Sequence, residues 1–78
     1  MIRYQVRATD GDLSAYATFA REPVTLAVAE VQLHRPQPWG EETISIPAAA
    51  VDHVQGNTIY LKLSRRRAIL MPASLTYR

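Results

Sequence analysis

The sequence predicts an all-β fold, a small and partly open barrel of about five or six strands with one short C-terminal helical turn. Three observations predict this fold. Apolar and polar residues alternate with a period of two in several segments, as they do in strands with one buried face. Gly56-Asn57, a pair suited to a tight turn, joins two of these segments. A third segment changes the phase of its alternation, as a strand does where it bends between the two halves of a barrel.

The clearest predicted hairpin lies on either side of Gly56-Asn57. After this pair, Ile59, Leu61 and Leu63 occupy every second position, so one face of the strand is expected to be buried. Residues 51–55 can fold back against it, because glycine and asparagine adopt positive φ more readily than other residues. A bulkier residue at position 56 is expected to strain the turn.

One short helical turn is predicted after the hairpin. Ser64 is placed to cap a turn that runs from Arg65 to Leu70, and Pro72 prevents its continuation. Ile69 and Leu70 are expected to face inward, so that the turn covers one end of the barrel.

Two antiparallel strands are predicted nearer the N-terminus, where the alternation over residues 2–8 reverses at Asp10-Gly11 and then resumes. Residues 13–21 also fit a helix, because their apolar side chains share a helical face, Asp12 can cap it and Pro23 follows its end. The turn chemistry and the segment length favour the strand. The helical alternative gives an α+β fold, with this helix on an antiparallel sheet.

The phase change lies in the next segment. Apolar residues occupy first one face and then the other, at Val24, Leu26 and Val28 and afterwards at Ala29, Val31 and Leu33. A bulge or sharp bend near residues 28–30 restores the inward face. Bends of this kind favour a barrel over a flat sheet.

Residues 35–42 contain two prolines, a glycine and the only tryptophan, and they are predicted to form a surface loop because proline interrupts ladder bonding. Trp39 lies between Pro38 and Gly40. The favoured interpretation is that Trp39 folds back over an open barrel end. In the alternative, Trp39 is an exposed anchor for a partner, since large amphipathic rings dominate interface energies.

A recognisable pattern follows: Ile46-Pro47, Val51, Val54, the Gly56-Asn57 turn, Ile59-Tyr60-Leu61, Leu63-Ser64 and a short turn that ends at Met71-Pro72. This run, within residues 44–72, resembles the PRC-barrel family, named for the H subunit of the photosynthetic reaction centre. Thr9-Asp10-Gly11-Asp12 is similar to the Asp-Gly hairpin that joins the first two strands in that family. The resemblance implies an SH3-like barrel of the PRC type.

The resemblance also implies a noncatalytic protein-interaction or structural module, since the family includes the cytoplasmic domain of the reaction-centre H subunit and a domain of the ribosome maturation factor. Such a module acts by surface complementarity with a protein partner, which the sequence does not identify. Trp39, Tyr16 and Tyr60 are candidate partner-binding residues, because their rings are expected to face outward from the barrel. Exposed strand edges on so small a core also favour a homodimer.

Length and composition exclude several other classes. The chain has 78 residues, 47% of them hydrophobic and 21% charged, which predicts one globular domain over residues 1–78. The absence of cysteine excludes disulfides, thiolate metal sites and cysteine nucleophiles. No apolar run approaches the about 18 residues of a membrane-spanning helix, and the N-terminus lacks a signal-peptide pattern, so a cytoplasmic protein is expected.

One basic cluster is present, at Lys62, Arg65, Arg66 and Arg67. A solvated basic face is the favoured interpretation, because a helical turn spreads the three arginines over different faces and the net charge is only +2. The alternative is an RNA- or ribosome-associated domain that binds through these four residues, with an affinity that falls steeply as salt is added.

No cofactor, metal or catalytic site is expected. His34 and His53 lie in different predicted elements without metal-ligand spacing. Glu41-Glu42 are adjacent in the predicted loop, where two carboxylates point apart and remain solvated instead of forming an acid–base pair. The sequence lacks a nucleophile elbow, a phosphate loop and a dinucleotide fingerprint, so the protein is not expected to be an enzyme.

Overall fold

A computed structural model describes residues 3–21 and 28–77 of the chain. These residues form seven strands, one short α-helix and one 3-10 turn. The strands are β1 (Tyr4–Ala8), β2 (Gly11–Arg21), β3 (Val28–Gln37), β4 (Gly40–Pro47), β5 (Val51–Gln55), β6 (Thr58–Leu61) and β7 (Ala73–Tyr77), the helix is α1 (Arg65–Ile69) and the 3-10 turn is Ala48–Ala50. The all-β prediction is confirmed, with seven strands in the described ranges where five or six were expected. Residues 13–21 lie in β2, so the helical alternative and the α+β fold are wrong.

The seven strands form one sheet, in the order β5-β6-β1-β2-β3-β4-β7. Neighbouring strands are antiparallel, except for β1 and β6, which run parallel. Within the described residues no ladder joins the edge strands β5 and β7, so the sheet is not closed into a barrel. Two strand edges therefore have no neighbouring strand among the described residues, one on β5 and one on β7.

One face of the sheet carries the hydrophobic core. Its largest fully buried side chains are Leu33, Ile44, Ile46, Ile59, Val6 and Val31. Seven strands side by side extend about 29 Å, and the five residues of α1 are too few to cover a face of that width. The sheet must therefore curl, so that side chains from its two halves cover one another.

The bulge predicted near residues 28–30 is confirmed. One extra residue lies in β3 between two successive pairs with β2, which are Ala20–Glu30 and Arg21–Val28. Beyond the bulge, Val31 and Leu33 are fully buried. Val24 and Leu26, which belong to the same prediction, lie outside the described residues.

The hairpin at Gly56-Asn57 is also confirmed, since β5 pairs with β6 and Gln55 stands opposite Thr58. Gly56 has a φ of +60°, whereas Asn57 does not adopt positive φ. This combination is typical of a type II′ turn, in which only the first central residue needs positive φ. The second strand is shorter than expected, because β6 ends at Leu61.

The helix α1 follows Ser64, as predicted. The hydroxyl oxygen of Ser64 accepts a hydrogen bond from the backbone N–H of Arg67 at 3.2 Å. Ala68 is fully buried, but Ile69 and Leu70 are exposed, so the expectation that these two residues face inward is wrong. A helix this short presents only one position to the core.

The β1–β2 turn fixes which position of α1 faces the core. A carboxylate oxygen of Asp10 accepts a hydrogen bond from the backbone N–H of Arg65 at 2.8 Å. The backbone N–H of Thr9 donates to the carbonyl of Leu63 at 2.9 Å. Because both bonds hold the start of the helix, its rotation is set so that Ala68 points inward.

Residues 35–42 form the end of a β-hairpin, so the prediction of an irregular surface loop is wrong. β3 continues to Gln37 and β4 begins at Gly40, which leaves only Pro38 and Trp39 in the turn. Proline suits the first central position of a turn, because its ring presets φ there.

Pro36 is tolerated within β3 because its nitrogen, which carries no hydrogen, points to the side where β3 no longer pairs with β2. Gln37 and Gly40 flank the two-residue turn as a pair, so the next pair, which contains Pro36, takes the non-hydrogen-bonded position of the ladder. The nitrogen of Pro36 then points away from β4. On that side the pairing of β3 with β2 has already ended at His34, so no ladder bond is lost.

Gly56→Ala is expected to destabilise the protein by about 1–2 kcal/mol, because a residue with a Cβ atom is unfavourable in the left-handed conformation. Steric overlap does not contribute, since nothing lies within 4 Å of a Cβ atom added there. Urea unfolding followed by circular dichroism measures the change. Asn57→Ala is the control and should have a much smaller effect, because Asn57 does not adopt positive φ. Equal losses in the two variants would contradict this explanation of the turn.

Candidate functional site

The structure contains a strand, β7, that was not predicted from the sequence. It pairs antiparallel with β4, and the opposed residues include Ala73 with Ile44, Leu75 with Glu42 and Tyr77 with Gly40. Opposed residues share a face of the sheet, so these three β7 side chains lie on the same face as the core. Every residue of β7 is nevertheless exposed. The signal that could have revealed the strand is the alternation of Ala73, Leu75 and Tyr77 with Ser74 and Thr76.

Gly40 allows β4 and β7 to pair. A Cβ atom at position 40 would overlap the carbonyl oxygen of Thr76 and would lie 3.0 Å from the Cα atom of Tyr77. Both atoms belong to the backbone of β7, so neither can move aside as the end of a flexible side chain does. Gly40 also has a φ of +153°, which residues with a Cβ atom rarely adopt. A side chain here would therefore push β7 away from the sheet.

The outer edge of β7 carries free backbone groups in the described part of the chain. The backbone N–H of Ser45 donates to the carbonyl of Pro72 at 2.9 Å, which marks this pair as hydrogen-bonded. Because hydrogen-bonded pairs alternate along an antiparallel ladder, every second residue of β7 turns its N–H towards β4 and the others turn theirs outward. The first set is Ser74 and Thr76, and the second set is Ala73, Leu75 and Tyr77.

Trp39 lies beside β7, at the tip of the β3–β4 hairpin. Its ring centroid is 4.9 Å from that of Tyr77, with 41° between the two ring planes. The exposed fraction of the residue is 38% for Trp39, 49% for Leu75 and 68% for Tyr77. We call these three side chains the edge patch. Trp39 thus contributes to a partly exposed apolar surface and is not a member of the buried core cluster.

An ion pair lies next to the edge patch. Arg35 Nη1 is 2.7 Å from Glu42 Oε1, and Glu42 stands opposite Leu75 in the ladder. Glu41 points to the other face of β4, where its Oε1 lies 2.8 Å from His34 Nδ1. The two carboxylates point apart, as expected, and both remain partly exposed. Each also has a partner on β3, which was not expected, because the hairpin extends to these residues.

Tyr16 and Tyr60 lie on the outer face of the sheet, opposite to the core. The ring of Tyr16 stacks on His34 with centroids 4.8 Å apart, and Arg3 lies 4.5 Å from the centre of the Tyr16 ring. The ring of Tyr60 stacks on His53 at 4.4 Å. β2 and β6 are three and five strands away from β7 in the sheet order, so the structure does not bring these two tyrosines together with the edge patch.

His34 links three strands on the outer face. Its Nε2 lies 3.0 Å from the hydroxyl oxygen of Thr18, and its Nδ1 lies 2.8 Å from Glu41. A hydroxyl, an imidazole and a carboxylate in this order resemble the relay of a hydrolase. An acyl-transfer site also needs N–H donors aimed at the developing oxyanion. Backbone N–H groups within a sheet point along the sheet towards neighbouring strands, so no N–H group of the described strands is aimed above Thr18. The two contacts of His34 connect β2, β3 and β4 on this face.

Acidic side chains divide the basic cluster. All four of its residues are exposed, namely Lys62, Arg65, Arg66 and Arg67. Asp10 Oδ1 lies 3.9 Å from the Nε atom of Arg65. Arg66 lines a cleft that also includes Asp10 and Asp12. The four predicted nucleic-acid-binding residues thus do not form one uninterrupted positive surface.

Residues 3–21 and 28–77 contain neither a cluster of metal ligands nor a membrane-spanning helix. In these ranges no group of three His, Asp or Glu side chains is placed to hold a metal ion. No helix of the described residues combines the length and the apolar composition needed to cross a bilayer.

Comparison with known proteins finds no matching family model, curated protein or solved structure. The function of this chain must therefore be inferred from its own fold and surface.

Gly40→Ala is expected to lower the free energy of unfolding by about 2–3 kcal/mol and to detach β7, because the added methyl group overlaps the β7 backbone. Urea unfolding measures the first effect. The second effect should appear as faster chymotrypsin cleavage at Leu75 and Tyr77, identified by mass spectrometry.

Gly11→Ala is the matched control for this prediction. Gly11 also has a positive φ, +141°, but the atoms nearest to an added Cβ belong to the flexible side chain of Arg65, at 3.8 Å. The control variant should lose less stability and should keep β7 resistant to cleavage. Faster cleavage of β7 in both variants, or in neither, would contradict the role of Gly40.

Proposed function

We propose that this chain is a noncatalytic protein-interaction module of the PRC-barrel type, which binds its partner through the edge patch and the free edge of β7. The strongest support is β7 itself, a strand of the sheet in which no residue is buried. Single exposed apolar side chains are ordinary on protein surfaces. Three that lie together beside a free strand edge are typical of a surface that another chain covers.

The PRC-barrel part of the proposal is supported by the region that carries the resemblance, residues 44–72. This region contains the hairpin at Gly56-Asn57 and the helix that Ser64 caps. An SH3-like arrangement of these elements and a cytoplasmic location are expected together with this assignment.

The geometry of the outer face supports a noncatalytic role. Thr18, His34 and Glu41 lack aimed N–H donors for an oxyanion, for the reason given above. The other imidazole pair, His53 with Asp52 at 2.8 Å, lies on the exposed strand β5. Both side chains are about half exposed, at 51% and 57%, so solvent screens the interaction between them although the Tyr60 ring stacks on His53.

RNA binding is the second candidate function. The exposure of Lys62, Arg66 and Arg67 in and just before α1 favours it. The contact of Asp10 with Arg65 weighs against it, because a carboxylate within the cluster reduces the attraction of phosphate. The net charge of +2 adds only a weak general attraction. Protein binding through the edge patch is therefore the better supported function.

Affinity capture distinguishes the two candidate functions. The immobilised chain should retain a protein partner, either another protein or a further copy of itself, even after nuclease treatment. The double substitution Leu75→Ser and Tyr77→Ser should reduce retention at least tenfold, because it removes two of the three side chains of the edge patch without adding charge. Tyr60→Ala, which truncates a ring on the opposite face, is the control and should leave retention unchanged.

Two outcomes of this capture would oppose the proposal. Nuclease-sensitive retention that is lost when Arg65, Arg66 and Arg67 are changed to alanine would support RNA binding. Protein retention that is unaffected by the changes at Leu75 and Tyr77 would contradict the proposed surface.

A further inference from the structure

We propose that the edge patch binds a second copy of this chain, through antiparallel pairing of β7 with β7 of the copy about a two-fold axis at Leu75. The inference rests on the proposed function and deepens it, because it names the partner of the same surface. The resulting dimer would join the two sheets into one continuous sheet. A symmetric interface of this kind uses the same residues on both copies.

The composition of β7 permits this pairing. Its five residues, Ala-Ser-Leu-Thr-Tyr, include no charged residue and no proline. Antiparallel pairing of β7 with β7 of the copy therefore places no like charges opposite each other, and every residue of the strand has an N–H donor. Natural edge strands are normally protected from pairing by charged residues, proline or bulges. β7 has none of these protections within its length.

The other edge of the sheet, on β5, differs from β7 in its charge and in the regularity of its ladder. β5 carries the charged residue Asp52, which is exposed and lies 2.8 Å from the Nδ1 atom of His53. Its ladder with β6 is irregular between Val51 and His53, as it is where a bulge lies. Charge and irregularity both hinder the pairing of an edge with another strand. Of the two edges, we therefore expect β7 and not β5 to pair with a second copy.

The register follows from the outward-facing backbone groups of β7. Ala73, Leu75 and Tyr77 turn their N–H and carbonyl groups to the free edge, because Ser74 and Thr76 turn theirs to β4. Only a register centred on Leu75 uses all three outward residues on both copies. It forms about six hydrogen bonds, two for each opposed pair.

The side chains fit the same register. Leu75 stands opposite Leu75 of the copy, and the large ring of Tyr77 stands opposite the small side chain of Ala73. Trp39 contacts Tyr77 within its own chain, so the approach of the second copy covers the exposed part of the indole as well. The three members of the edge patch are thereby removed from water together.

The size of the contact indicates a dimer that dissociates on dilution. Each copy contributes one strand of five residues and three large apolar side chains. Such a contact falls below the range of about 1,200–2,000 Å² that stable interfaces bury. We therefore expect a reversible equilibrium between monomer and dimer, not a permanent assembly.

Light-scattering mass measured over a wide range of concentration tests the inference. The wild-type mass should rise from monomer to dimer, and the emission of Trp39 should shift to the blue over the same range. Leu75→Lys and Leu75→Glu should each remain monomeric, because two like charges would oppose each other on the axis. An equimolar mixture of the two variants should recover the dimer, since opposite charges then face each other.

Val54→Lys is the matched control for the added charge. Val54 is 45% exposed, close to the 49% of Leu75, but it lies on β5. This variant should dimerise as the wild type does. Circular dichroism checks that every variant is folded, which we expect because Leu75 lies outside the core cluster.

Three results would overturn the inference. They are a wild type that stays monomeric at every concentration, a Leu75→Lys variant that still dimerises, and a mixture of Lys and Glu variants that stays monomeric. A monomeric wild type that still retains other proteins through Leu75 and Tyr77 would leave the proposed function intact. A dimer that retains no other protein would support the inference that the second copy is the partner of this surface.

Discussion

The close approach of two backbones at Gly40 is the constraint on which the functional surface depends. Because residue 40 has no side chain, Thr76 and Tyr77 can lie against β4 and bring β7 into the sheet. Among the described residues, β7 then has one edge occupied by β4 and one edge free. The core does not extend beneath it, so Leu75 and Tyr77 remain exposed next to Trp39. A single glycine thus determines both the last strand of the sheet and the apolar surface beside it.

Much of the fold could be predicted from local signals in the sequence. The Gly56-Asn57 turn, the cap at Ser64 and the bulge at residues 28–30 are each determined by residues close together in the chain. Period-2 alternation also placed Val6 and Ile59 on the buried face. These features could be predicted because turn conformation, capping and strand phase depend on neighbouring residues.

The remaining features depend on residues distant in sequence. β7 needs a partner strand about thirty residues earlier in the chain, so neither strand indicates the pairing alone. Pro36 fits in β3 only because β2 no longer pairs there. Ser14, the one non-glycine residue with positive φ in the described ranges, lies where the β1–β2 register shifts. The edge patch was therefore only partly predictable: Trp39 could be selected from its type and flanking residues, whereas the pairing that places Leu75 and Tyr77 beside it could not be predicted from either strand alone.

Residue-resolved amide hydrogen exchange of β7, measured by NMR in a dilute sample, tests the central claim most directly. If β7 is an edge strand held against β4, the amides of Ser74 and Thr76 should exchange slowly, and those of Leu75 and Tyr77 should exchange rapidly. Uniformly rapid exchange over residues 73–77 would show that β7 is not part of the sheet. Uniformly slow exchange at high dilution would show that the edge is covered within the monomer, and either result would contradict the account.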